Sequence, residues 1–165
     1  VEAWIYLNGI SPHGDIPLFD FRAGIATDTA PYLYTNGTTL KYNFGDTNVI
    51  SGGTLSATQW HHVAVSRFAG GTRLYLDGNQ VGSTYVDNND YGTTKPLKIG
   101  TDFALGPHFG GFIDDIRISN SARYLDTTYT VPTSQIVGDN NTVFLTHLDG
   151  TNNATAITED FCIKN

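Results

Sequence analysis

The chain has 165 residues, of which 39% are hydrophobic and 15% are charged, and its formal net charge is −7. This length suits one domain with a substantial core. The acidic balance, without any basic cluster, argues against nucleic acid and anionic membrane surfaces as partners, and no apolar run is long enough to insert into a membrane. Cys162 is the only cysteine, so no internal disulfide can hold the domain together.

Short alternating segments separated by turn residues predict an all-β domain. In the first segment, residues 1–7, Trp4 and Tyr6 fall on the face opposite the aliphatic residues, which suggests that both faces of this strand are partly covered. The strands predicted after it are residues 16–21, 32–34, 39–44, 48–50, 60–67, 72–76, 80–86, 97–100 and 111–119.

Turn chemistry supports the same reading. Asp77-Gly78 lies between two alternating segments and is the strongest hairpin signal in the chain, because Gly adopts positive φ at little cost. No helical period extends beyond two turns, although residues 120–125 are expected to hold one short helical turn. Many short strands at regular spacing predict a two-sheet antiparallel jelly-roll sandwich.

The composition changes after residue 129. Residues 130–141 contain Pro132 and Gly138 and are predicted to form a linker, and residues 143–148 are predicted to form a further strand.

Several motifs in order resemble the laminin G-like, concanavalin A-like jelly-roll family. They are W-H-H-V-A-V at residues 60–65, L-Y-L-D-G-x-x-V-G at residues 74–82 and G-G-F-I-D-D-I-R-I-S-x-x-A-R-Y at residues 110–124. The A-R-Y element followed by T-V-P-T resembles repeats of bacteriophage virion proteins and large bacterial surface proteins. The resemblance is specific for fold and weak for function, because this fold carries lectins, adhesion modules, enzymes and scaffolds.

The resemblance also implies a domain organisation. Residues 1–133 correspond to the jelly roll, and residues 134–165 to a linker followed by a segment like the opening strand of such a domain. The family's usual N-terminal portion is not present ahead of Val1, so we expect an open sheet edge that invites strand addition. The tail strand is expected to complete this domain, to complete a neighbour, or to begin a second repeat.

The acidic residues do not predict an enzyme. Glycoside hydrolysis needs two carboxylates that flank one bond, and the E-x-D-x-x-E pattern of glucanases on this fold is absent. Asp114 and Asp115 are adjacent, so on a regular strand they are expected to point to opposite faces.

Metal ligation is predicted only for calcium. His61 and His62 are expected to point to opposite faces, one packed and one exposed, and the other histidines lack ligand spacing, so zinc is not favoured. The family resemblance implies a calcium site in which Asp114 matches a recurring aspartate. Asp160 matches an aspartate of the opening segment and is expected to complete that site if the tail docks on this domain.

Aromatic and polar side chains in the rim loops are candidates for binding carbohydrate, because sugars need aromatic surfaces beside hydrogen-bonding groups. These candidates are Tyr85, Asn88, Asp90, Tyr91, Asp102, His108 and Phe109.

We therefore expect a non-catalytic structural or adhesive module of an extracellular, cell-surface or virion assembly, such as a fibre, an appendage or a capsid decoration. Its expected partners are other protein subunits or repeats, with weak binding to surface glycans. A carbohydrate-binding lectin module of a larger secreted protein is the first alternative, and a glycoside hydrolase is the second.

Overall fold

The computed structural model describes residues 1–11, 14–24, 28–45, 47–91 and 95–149. These residues form eleven strands and no helix. The strands are β1 (Glu2–Leu7), β2 (Asp15–Asp20), β3 (Pro31–Asn36), β4 (Thr39–Phe44), β5 (Thr47–Gly52), β6 (Trp60–Phe68), β7 (Gly71–Leu76), β8 (Asn79–Val86), β9 (Lys98–Ile99), β10 (Gly111–Ser119) and β11 (Thr142–Thr146). No helix that could span a membrane occurs in this described part of the chain.

The strands form two antiparallel sheets packed face to face, which confirms the predicted sandwich. The six-stranded sheet has the order β11-β10-β1-β6-β7-β8, and the five-stranded sheet has the order β5-β4-β3-β2-β9. Alternate residues of β1, namely Ala3, Ile5 and Leu7, point into the core and are almost fully buried. Burial of one such aliphatic side chain contributes about 1.5–3 kcal/mol, so the period-two pattern fixes which face of the strand turns inward.

A close glycine contact joins the edges of the two sheets. A Cβ atom built on Gly82 of β8 would lie 2.7 Å from Ile50 Cγ2 and 2.8 Å from the Ser51 carbonyl oxygen of β5. Gly82 also has φ of 66°. The absence of a side chain therefore lets β5 and β8 approach each other and close this side of the sandwich.

The predicted hairpin at Asp77-Gly78 is confirmed. Both residues have positive φ, 49° and 80°, as a two-residue turn between β7 and β8 requires. The Asp77 carboxylate also accepts a hydrogen bond from the His62 backbone N–H at 2.8 Å. The turn is thus tied to the neighbouring β6 as well as to its own strands.

The short helical turn predicted at residues 120–125 is wrong. The chain there is irregular, and it begins a segment, residues 124–136, that we call the strap. The strap crosses the outer face of the six-stranded sheet, where the Tyr75 hydroxyl donates to the Asp126 carbonyl oxygen at 2.7 Å and the Gln80 N–H donates to the Thr127 carbonyl oxygen at 2.7 Å. Within the predicted turn, the Tyr124 N–H, which a helical turn would have used, donates instead to Ser66 Oγ at 3.4 Å.

The tail strand lies in the six-stranded sheet. Residues of β11 pair with β10, with Leu145 opposite Arg117 and Phe144 opposite Ile118. Leu145 is buried and Phe144 packs against the core. In this structure β11 therefore continues the sheet that β10 and β1 begin.

Candidate functional site

Three adjacent strands place their outward-facing side chains in rows across the six-stranded sheet. The central strand is β1, which pairs with β10 on one side and β6 on the other. From the exposed end to the covered end, the rows are Phe112, Tyr6 and Trp60; then Asp114, Trp4 and His62; then Arg117, Glu2 and Ala64.

The first row is an exposed aromatic surface, which we call the aromatic row. The Tyr6 ring centroid lies 5.6 Å from that of Trp60 and 5.7 Å from that of Phe112, with interplanar angles of 60° and 56°. Trp60 is 45% exposed and Phe112 is 55% exposed. Contiguous exposed aromatic rings are uncommon on a protein surface, and such patches are typical of interaction sites and ligand-binding grooves.

Asp114 and Asp115 line one recess and do not point to opposite faces of the sheet, so that expectation is wrong. The register between β10 and β1 shifts between the pairs Trp4–Asp114 and Glu2–Arg117, which leaves one extra residue in β10. Asp115 is this extra residue, and it has φ of 49°. A β-bulge of this kind breaks the strict alternation of side chains.

The recess lies beside the aromatic row and has a volume of about 490 Å³. Trp4 and Trp60 form its aromatic part, and residues 131–135 of the strap form the opposite wall. Its polar side chains are those of Asp114, Asp115, Thr133, Ser134 and Gln135.

The two carboxylates of the recess differ in how they are engaged. Asp115 Oδ2 accepts a hydrogen bond from the Ile136 N–H at 3.3 Å, and its Oδ1 contacts His147 Nδ1. Asp114 Oδ1 accepts from the Asp115 N–H at 2.7 Å, and within the described residues Asp114 Oδ2 has no hydrogen-bond partner. Partial burial, together with the negative charges of Asp115 and Asp149, raises the pKa of Asp114. Asp114 therefore offers an open carboxylate oxygen to a ligand.

A buried polar cluster beneath the strap holds the recess wall in place. Glu2 accepts two hydrogen bonds from Arg117, at 2.7 and 2.9 Å, and a third from the Tyr124 hydroxyl. Burial alone raises the pKa of Glu2, but its contacts with His62, Tyr124 and Arg117 outweigh burial and hold the pKa at about 2. The carboxylate is therefore charged and fully partnered, as a buried charge must be.

Both strand histidines are buried, so the expectation that one is exposed is wrong. His62 is fully buried. Its Nε2 lies 3.3 Å from Glu2 Oε2, and its Nδ1 lies 2.6 Å from the Tyr129 hydroxyl oxygen. His61 is 3% exposed on the other face of β6, with its Nδ1 2.7 Å from Asp77 Oδ2. The strap covers the outer face of the sheet, which sequence periodicity alone does not show.

Four of the predicted carbohydrate-binding residues lie in or just after β8. Tyr91 lines a different recess, at one end of the sandwich, and contacts Asp87, Tyr42 and Arg67. These contacts place Tyr91 among structural partners. The other three predicted residues of this group are Tyr85, which packs against the core, and Asn88 and Asp90, which are both exposed.

The remaining three predicted residues lie between β9 and β10. Asp102 accepts hydrogen bonds from the N–H groups of Ala104 and Gly106, at 3.0 and 2.9 Å, and so shapes its own loop. His108 and Phe109 line a small recess of about 220 Å³ that shares no residue with the recess at Tyr91. The structure therefore divides the seven residues between two places, and their role in sugar binding stays a prediction.

The predicted calcium site is described only in part, because Asp160 lies outside the described residues. Among the residues that are described, no group of three or more His, Cys, Asp or Glu side chains is placed to hold a metal ion. Calcium takes six to eight oxygen ligands, and Asp114 Oδ2 alone does not supply them. The described residues therefore do not by themselves make a calcium site, and calcium stays a prediction.

The aromatic row is a part of the candidate site that local sequence patterns do not reveal. Alternation in the first strand places Trp4 and Tyr6 on one face. Phe112 and Trp60 lie 106 and 54 residues along the chain from Tyr6, the centre of the row, and no local pattern connects them to it. Their meeting depends on the pairing register of three strands. The available sequence signal was the presence of an aromatic residue in each of three predicted strands, which could pair side by side if those strands became neighbours.

Comparisons with known proteins agree with this architecture. A family model described as the concanavalin A-like lectin/glucanases superfamily matches residues 1–127. Among solved structures, the chain resembles a protein from Bacteroides ovatus to which carbohydrate binding is provisionally ascribed, with a TM-score of 0.58 and 18% sequence identity. The match covers 91% of this chain and 45% of that protein, and at this identity it shows the fold alone. No curated protein matches the chain.

Proposed function

Because the chain belongs to the concanavalin A-like lectin and glucanase superfamily, we propose that it is a non-catalytic carbohydrate-binding module. Its binding surface is the aromatic row together with the adjoining recess. The observation that carries this proposal is the exposed alignment of Trp60, Tyr6 and Phe112 beside the open carboxylate oxygen of Asp114.

The chemistry of this surface suits a sugar. The C–H face of a pyranose ring is apolar and packs against aromatic rings, while its hydroxyl groups need hydrogen-bonding side chains beside those rings. Trp60 and Phe112 supply the aromatic rings, and Asp114 and Gln135 supply polar groups within the adjoining recess. The carbohydrate binding provisionally ascribed to the similar Bacteroides ovatus protein is consistent with this proposal.

The state of the carboxylates supports binding without catalysis. A glycosidase needs one carboxyl group as acid and a second as nucleophile or base, and both must reach the sugar. At the recess, both oxygens of Asp115 are taken by Ile136 and His147, which leaves Asp114 as the acidic group with an open oxygen. An enzyme remains the competing class for the experiment to test.

We further propose that the module acts outside the cell or on a virion, as an adhesive part of a larger assembly. The resemblance of the A-R-Y and T-V-P-T elements to repeats of surface and virion proteins supports this setting. Glycan attachment through the aromatic row would then link the assembly to a carbohydrate-coated surface, and protein subunits would be its other partners.

The test is a glycan array followed by affinity measurements on Trp60→Ala. Phe68→Ala is the matched control, because Phe68 is 54% exposed on the same β6 but at its far end. We expect Trp60→Ala to weaken binding about tenfold or more and Phe68→Ala to leave it unchanged. Unfolding curves of both variants serve as the control that each remains folded.

Three further results decide among the alternatives. If Tyr91→Ala or His108→Ala removes binding while Trp60→Ala does not, the site lies in the rim loops that the sequence predicted. Release of sugar fragments by the wild-type chain, abolished in Asp114→Asn, would make it an enzyme. A multivalent form that binds no glycan on the array would overturn the proposed function.

A further inference from the structure

From the charges around the recess we infer that the site selects glycans without acidic groups and gains affinity for sugars that carry a free amino group, with Asp114 as the residue that makes this choice. This inference rests on the proposed function, since it concerns the same aromatic row and recess. It adds the chemical class of the ligand and a specificity-determining residue.

The recess carries negative charge without a compensating positive lining. Asp114 and Asp115 line it, and no Lys, Arg or His is among its described lining residues. Asp149 is nearby, since its carboxylate accepts a hydrogen bond from Gln135 Nε2 of the recess wall at 2.9 Å. Asp149 also contributes to the raised pKa of Asp114.

The basic groups close to the recess are committed to other partners. Arg117, the next outward-facing residue of β10 after the bulge, gives two hydrogen bonds to Glu2 and one to the Val137 carbonyl oxygen. His147 contacts Asp115. Neither group is available to balance the charge of a uronic acid or a sulfated sugar in the recess.

Asp114 is the carboxylate that a ligand can reach. Its Oδ2 has no hydrogen-bond partner among the described residues. Asp114 pairs with Trp4 of β1, and Trp4 lines the recess together with Trp60. A sugar stacked on the aromatic row would therefore place its ring substituents near this oxygen. A hydroxyl or an ammonium group can donate to it, whereas a carboxylate or sulfate is repelled and loses solvation without gaining a partner.

The experiment compares three soluble hexasaccharides that share a β-1,4-linked gluco backbone. The first is neutral cellohexaose, and the second is glucosamine hexaose, in which every residue carries an amino group. The third is C6-oxidised cellohexaose, which carries carboxylates. Titration calorimetry is run at a pH at which the amines are protonated and the acids ionised, with wild-type protein, Asp114→Asn and Trp60→Ala. Asp15→Asn is the matched control, because it removes one exposed carboxylate from β2 of the opposite sheet.

We expect the amino hexamer to bind roughly three- to tenfold more tightly than the neutral one, and the acidic hexamer to bind most weakly. Asp114→Asn should remove the preference for the amine, while Asp15→Asn should keep it.

Equal or tighter binding of the acidic hexamer overturns the inference and leaves the proposed function standing. An amine preference that survives Asp114→Asn overturns the assignment to Asp114. If wild-type protein binds none of the three, or if Trp60→Ala changes nothing, the aromatic row as the site of the proposed function fails for this backbone, and the inference fails with it.

Discussion

Asp114 and Asp115 are consecutive residues of β10, yet both line the same recess, because Asp115 occupies a bulge with φ of 49°. Without the bulge, one of the two carboxylates would face the core between the sheets. The extra residue also shifts the alternation after it by one position, so that Ile116 is fully buried and Arg117 reaches Glu2. One irregular residue therefore shapes the recess and maintains the core.

The bulge predicts an unusual order of stability among Asp115 variants. Asp115→Ala and Asp115→Gly both lose the contacts to Ile136 and His147, but only Ala carries a Cβ that disfavours positive φ. We expect both variants to be less stable than wild type, and Ala to be less stable than Gly by about 1 kcal/mol. Urea unfolding measures the difference. Greater stability of the Ala variant would mean that the strand does not adopt this bulge in solution.

Glu2 predicts how stability depends on pH. Its pKa is about 2 in the folded chain against an ordinary 4.5, so its charged form stabilises the fold. This contribution, about 3 kcal/mol, is fully present above about pH 4.5 and is lost as the pH falls through about 2. We expect the free energy of unfolding to fall over this window.

Glu2→Gln should flatten that part of the stability curve, because the amide does not titrate. Asp15→Asn should keep the slope, since Asp15 is exposed at the start of β2. Chemical unfolding at a series of acidic pH values provides the measurement. A slope that persists in Glu2→Gln would assign the acid sensitivity to other carboxylates.

Closure of the sandwich at Gly82 predicts a strong steric effect. Ala at this position would bring its Cβ to 2.7 Å from Ile50 Cγ2, whereas a Cβ at Gly37 meets nothing within 4 Å. Both glycines have similar positive φ, 66° and 57°, so the backbone cost is matched. We therefore expect Gly82→Ala to destabilise the chain by about 2 kcal/mol more than Gly37→Ala in urea unfolding. Equal losses would show that β5 and β8 are not in close contact.

Calcium at Asp114 and Asp160 remains a sequence-based prediction with a direct thermal test. A metal that binds only the folded chain raises the melting temperature by mass action. If the prediction holds, the melting temperature in excess calcium exceeds that in EDTA, and Asp114→Asn removes the difference. Identical melting of wild-type protein under both conditions would exclude a calcium site that stabilises the fold.

The sequence by itself determined the fold class. Period-two alternation, turn residues and the Asp77-Gly78 hairpin specify the strands, because each is a local signal that depends on nearby residues. The ordered motifs around Trp60 and Gly110 identified the family, which the match over residues 1–127 confirms.

Only the tertiary structure decided the candidate site. The aromatic row needs the register of β10, β1 and β6, and those strands are far apart in sequence. The shared recess of Asp114 and Asp115 needs a bulge that has no local sequence signature, and the burial of His62 needs a strap that crosses the sheet. These features depend on the pairing of residues that are far apart in sequence. Periodicity shows which residues share a face of one strand, but it does not show which strands become neighbours, and for this reason the sequence alone could not predict the site.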